Sequence, residues 1–165
     1  MTRVIAVAAI LLFVAACSQS SSSSASSSAA STQASPTPDV DKLTDEFTRG
    51  SLALSPVSAT QSGYHEHEGK VLDELIDDYS ASGLDAQRNF FRGMQSRIDA
   101  LDAARLDAEE RADVQIMKNN VALALLELDT IQSYRHNPTV YVELTGNALY
   151  EPYILNYASL DTRFD

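Results

Sequence analysis

His65-Glu66-His67-Glu68 sets four side chains able to bind a metal or move a proton in one short run. A helical metal site places two histidines one turn apart, as in His-Glu-x-x-His, so that both imidazoles point to one side. A spacing of two suits an extended segment or a loop, and Gly63 and Gly69 bound this run. It reads as a polar, glycine-bounded turn, with His65 and His67 as the candidate metal ligands and no catalytic residue assigned. Asp73, Glu74, Asp77 and Asp78 offer oxygen ligands, but a calcium loop needs a tight glycine turn among them, and 73–78 has no glycine. These acids therefore read as a solvated face. Serine, histidine and aspartate are all present without a Gly-x-Ser-x-Gly elbow, so a serine hydrolase lacks its local signature. No glycine loop able to cradle phosphate occurs. Tyr141, Tyr150, Tyr153 and Tyr157 read as packing residues with hydroxyls at the surface, or as the lining of a groove.

The lone cysteine, Cys17, excludes an internal disulfide and a multi-thiolate zinc site. Arg3 and the apolar stretch Val4 to Val14 have the layout of an export signal and are too short to span a bilayer. Val14-Ala15-Ala16-Cys17 resembles the lipobox of bacterial lipoproteins, which implies cleavage after residue 16 and a diacylglyceryl group on the Cys17 sulfur. Ser18 after the cysteine implies sorting to the outer membrane, facing the periplasm. Two or three acyl chains hold durably where one gives marginal binding. Twelve basic against 23 acidic residues give a net charge of −11, which removes nucleic acid as a partner. An acidic body is also repelled by anionic lipid, so attachment rests on the acyl chains.

From Ser18 to Ser35 eleven of eighteen residues are serine and none is charged, a composition too poor in apolar groups to offset ordering entropy. The chain therefore divides into a signal peptide at 1–16, a lipidated cysteine with a flexible tether at 17–38, and a folded domain at 39–165. Thr37-Pro38-Asp39 opens the first helix, carried by the stripe Val40, Leu43, Phe47 and Leu54 and stopped at Ser55-Pro56. Pro56 restarts a short turn with Ser55 as its cap. Leu72, Leu75, Ile76 and Tyr79 form an apolar group of undecided helical extent.

Leu84, Phe91, Met94, Ile98 and Leu101 keep one face of a further helix, leaving Arg88, Arg92 and Arg97 for the other. Asp107 with Glu110 makes a capping-box variant that opens a long helix toward Tyr134. That helix has two apolar stripes, one through Ile116, Leu123 and Leu126 and one through Val114, Met117 and Val121, which predicts neighbours on both sides. Residues 138–150 divide between strand and helix character, with helix favoured; Glu151-Pro152 should end it, and Leu160 opens another helix. The expected fold is all-α, an irregular bundle of about four to six helices.

Several stretches together resemble the start of a bacterial family named domain of unknown function 885: Leu52 to Thr60, then Gly63-Tyr64-His65, Arg88, Ile98 to Leu101, Arg111-Ala112-Asp113, Leu126-Glu127-Leu128 and Asn137 to Tyr141. The resemblance implies an N-terminal helical region of longer lipoproteins similar in fold to zinc peptidases. Their His-Glu-x-x-Pro-Gly-His motif is not in this sequence, so zinc enters only by implication and this chain carries no cofactor of its own. On that reading the chain is one wall of a hydrolase, inert alone, whose partner is its own C-terminal region. The other reading is a self-sufficient envelope lipoprotein that binds or scaffolds partner proteins. Exposed apolar surface on the central helix or on 138–157 is the property that separates them.

Overall fold

A computed structural model describes residues 40–164; the expected signal peptide, Cys17 and the expected tether lie outside the described residues. The fold is mostly helical, as its apolar periodicities predict. Val40 and Leu43 are buried and Phe47 packs beside them, which fixes α1, Val40–Ala53, against its neighbours. Two long helices meet it: α3, Ala81–Asp99, through Met94 and Ile98, and α4, Ala108–Leu126, through Val114, Met117 and Val121. These residues with Leu106 make the main core. Ser80 caps α3 by accepting from the Gly83 amide at 3.2 Å. Asp107 accepts from the Glu109 and Glu110 amides while Glu110 accepts from the Asp107 amide at 2.7 Å, so the capping box closes both ways.

The long helix does not reach Tyr134 unbroken. After Leu126 it widens into a π turn, Glu127–Ile131, and Gln132 stops it in the left-handed region with φ of 53°. A four-residue helix, α5, Ser133–His136, follows. The carbonyls freed at this end need donors. Arg88 supplies one to the Leu128 carbonyl at 3.1 Å, another to the Tyr134 hydroxyl, and its Nε to Asp129 at 3.0 Å, while Arg92 holds the second Asp129 oxygen. Arg88 thus belongs to the packing of α3 on the π turn and α5, and not to a free polar face.

Asn137 Oδ1 accepts from the Thr139 amide and opens α6, Thr139–Ile154, which settles 138–150 as helix. Proline does not end α6 where expected, since the helix continues two residues beyond Pro152. So close to the terminus only the last turn loses an amide, and Arg163 donates to the Pro152 carbonyl at 3.0 Å. The closing helix α7, Leu160–Phe164, follows. One stripe of α4 is packed and the other is not: Ile116 is 57% and Leu123 63% exposed. Among the described residues, the expected neighbour on that side is missing.

Candidate functional site

The short helix α2, Pro56–Gln61, and the segment that returns past it build a polar cluster of carboxylates, hydroxyl and imidazole. Ser55 precedes Pro56 but forms no side-chain cap. Asp77 takes that place from 20 residues away, its carboxylate accepting from the Val57 amide at 3.2 Å at the positive end of the helix. Burial pushes the Asp77 carboxyl up from the ordinary range, and the bonds from Val57 and Ser55 partly offset that.

At its other end α2 closes on Gly63, whose φ of +77° only glycine adopts freely. The Gly63 amide donates to the Thr60 carbonyl and the Tyr64 amide to the Ala59 carbonyl, a Schellman closure that aims the chain into a hairpin. In that hairpin β1, Glu66–His67, pairs antiparallel with β2, Lys70–Val71, through a turn in which Glu68 and Gly69 both have positive φ. The glycine-bounded turn is therefore a tight hairpin, extended outward by the Leu72 amide bonding the His65 carbonyl at 2.8 Å.

Residues two apart on extended chain share a side, but His65, just before β1, and His67, within it, take different partners. His65 Nδ1 donates to Asp73 Oδ1 at 2.9 Å, and the buried Thr60 hydroxyl donates to the same oxygen at 2.6 Å. The Tyr157 ring stacks on the His65 ring with centroids 4.8 Å apart. Burial and the Asp73 charge push the Tyr157 hydroxyl up, with Arg163 opposing. One carboxylate oxygen thus ties α2, the hairpin and the C-terminal segment together. It fixes the His65 tautomer and leaves Nε2 uncommitted by that bond.

His67 Nδ1 is hydrogen-bonded to the Tyr64 hydroxyl at 2.8 Å, and Arg49 lies 5.8 Å above the Tyr64 ring. The two candidate metal ligands are thus each held by a separate partner. Among the described residues no three His, Cys, Asp or Glu side chains are grouped to hold a metal ion. His65 and His67 by themselves are fewer than the three or four protein ligands of a zinc site.

The expectation of a solvated acidic face holds for Glu74 and Asp78, which are exposed, and fails for Asp73 and Asp77. Those two face α2 because its amide and hydroxyl donors need acceptors. The sequence reading also missed Thr60 and the stacking role of Tyr157. Thr60 stands on the buried side of α2 beside Ala59, a placement that its position after Pro56 alone does not reveal. Tyr141 donates its hydroxyl to the Tyr134 carbonyl at 2.6 Å, whereas Tyr150 and Tyr153 are exposed on α6.

No family model, curated protein or solved structure matches this chain.

Proposed function

We propose that the chain is the N-terminal helical part of a longer, lipid-anchored envelope protein of the peptidase-like kind it resembles. Residues 40–164 act in it as a wall that packs on the remainder of the same polypeptide. The observation that carries this reading is apolar surface on two helices. On α4 the stripe Ile116, Leu123 and Leu126 is uncovered, and on α6 Val142, Leu149 and Tyr153 share a face, with Leu149 71% exposed. Rows of large apolar side chains at helical spacing are the mark of a surface that another element covers. Both rows fall where a fragment separated from its partner region should show them.

The hydrolytic centre belongs, on this reading, to the remainder. Thr60, His65, Asp73 and Tyr157 hold α2, the hairpin and the C-terminal segment in place, and residues 40–164 alone are inert toward peptides. Cys17 carries the acyl anchor, which places the protein at the outer membrane facing the periplasm, with the serine-rich stretch as spacer.

The test is the intact mass of the native protein, extracted from the cell envelope with detergent and identified by peptides from 40–164. A product several times heavier than this chain supports the reading. A mass equal to residues 17–165 plus acyl groups overturns it in favour of the stand-alone scaffold, and an unmodified Cys17 removes the anchor from either version.

A further inference from the structure

Between α1, the hairpin and α3 lies an open cleft of about 760 Å³, within the roughly 300–1,000 Å³ typical of small-molecule sites. It is separate from the Asp73 cluster and from the exposed rows of α4 and α6. Its floor is apolar: Ala53 and Leu54 from α1, Leu72 and Leu75 from the segment after β2, Phe90 and Met94 from α3. One wall is the hairpin. The register pairs His67 with Lys70, and directly paired residues share a face, so both side chains are presented to the cleft that they line. Arg49 and Tyr64 complete that wall.

The charges at the mouth sort by whether they already have partners. Asp45 takes the Arg49 Nε at 2.6 Å, and Glu46 takes Arg97 at 2.5 Å with Lys42 4.0 Å away. Both of those acids are thus matched by cations of the protein itself. The donors that face the cleft beyond these pairs are the Lys70 ammonium, His67 Nε2, its Nδ1 being held by Tyr64, and those N–H groups of Arg49 that neither Asp45 nor the Tyr64 side chain takes. Of the three acids that line the cleft, Asp45 and Glu46 hold these pairs, and Glu68 stands at the exposed tip of the turn.

An apolar floor below a donor-rich rim suits a ligand with a hydrocarbon body and an acceptor head. We propose that this cleft binds an apolar monocarboxylate, its body on Leu54, Leu72, Phe90 and Met94 and its carboxylate at Lys70 and Arg49. A lipid-derived fatty acid and a free aromatic acid share this chemistry.

The experiment titrates the isotope-labelled chain with decanoate, 4-phenylbutyrate, decanol and decylammonium, reading the backbone amides of 64–70 by NMR so that binding on α4 or α6 is not counted. Decanoate or phenylbutyrate should saturate these amides at one equivalent, about tenfold more tightly than the alcohol or the amine. The tighter of the two acids identifies the source of the ligand. Lys70→Glu, an exposed strand substitution, should weaken the acid at least about fivefold and leave decanol unchanged, consistent with loss of a charge-assisted contact. Ala53→Phe should block all four probes by filling the floor. Equal affinity for acid and alcohol, preference for the amine, indifference to Lys70→Glu, or no saturable shift at 64–70 would each overturn the proposal.

Discussion

Asp73 receives two donors at one oxygen, and both lose their acceptor if the carboxylate is removed. Thr60 is only 6% exposed, so its hydroxyl would find no water in exchange. Asp73→Ala should therefore lower stability by roughly 1–3 kcal/mol, the usual cost of stranding buried polar groups. In the Thr60→Val background the same change should cost less, because the hydroxyl that suffers is already gone. Urea midpoints of the four proteins of this cycle measure the difference, and purely additive losses would show that the shared oxygen couples nothing.

Two other aspartates titrate in opposite senses. Hydrogen bonds from Arg92 and Arg88 hold the Asp129 carboxyl below its ordinary value, so its contribution is present above that value and is lost as pH falls through the depressed one. Asp129→Asn should destabilise at neutral pH, with the deficit vanishing in acid. Asp77 is raised, chiefly by burial, so the native state holds its proton longer than the unfolded chain does. Stability from that site falls as pH rises from the ordinary carboxylate value through the raised one, and Asp77→Asn should gain on the wild type across that window. Urea unfolding from acid to neutral pH checks both signs, and a parallel course for the two variants would contradict them.

At the scale of elements, the hairpin turn is the point where backbone geometry decides. Glu68 sits at φ 48° and Gly69 at φ 78°, and a non-glycine residue in that region costs roughly 1–2 kcal/mol. Gly69→Ala should therefore destabilise by about 1 kcal/mol, while Glu68→Asn, a better first residue for this turn, should stabilise by about 0.5 kcal/mol. Amide exchange of Lys70 and Val71 should quicken in the first variant and slow in the second, and unchanged exchange in both would argue that the hairpin is held by His65 and Leu72 instead.

The same segment shows how far local pattern carries. Helices α1, α3 and α4 follow from the spacing of Val40, Leu43, Met94, Ile98 and Met117, because burial of a stripe is written into its period. The capping box at Asp107 was legible for the same local reason. Which donors Asp73 and Asp77 serve was not, since their partners lie 13 and 20 residues away and are chosen by tertiary packing. Arg88 hid its role likewise. Its position on α3 says nothing of the Leu128 carbonyl 40 residues on, which needs a donor only because α4 widens into a π turn. Of the candidate site, the sequence reading found His65 and its extended setting but neither of the groups that orient it.

For the whole molecule the governing contrast is between one face of α4 that is closed and one that is open. Met117 is 2% exposed in the core while Ile116, its neighbour in sequence, is 57% exposed. Met117→Ala should cost roughly 2–5 kcal/mol, the range for a cavity left in a packed interior. Ile116→Lys with Leu123→Glu should shift stability by no more than about 0.5 kcal/mol, because in the isolated domain these side chains touch mostly solvent. Any effect of the double variant should appear in what the surface attracts. A chain of net charge −11 is kept apart by self-repulsion, so neutral apolar rows can persist on it at low salt and should associate as salt screens the charge. The wild type should accordingly bind a hydrophobic dye and self-associate with rising ionic strength, and the double variant should lose about half of the dye signal at an unchanged urea midpoint. Loss of stability in the double variant would mean that the α4 face is covered within the domain. Weak dye binding by the wild type would mean that the open rows of α4 and α6 are shielded without a partner, and the case for a wall awaiting the rest of its protein would fall with it.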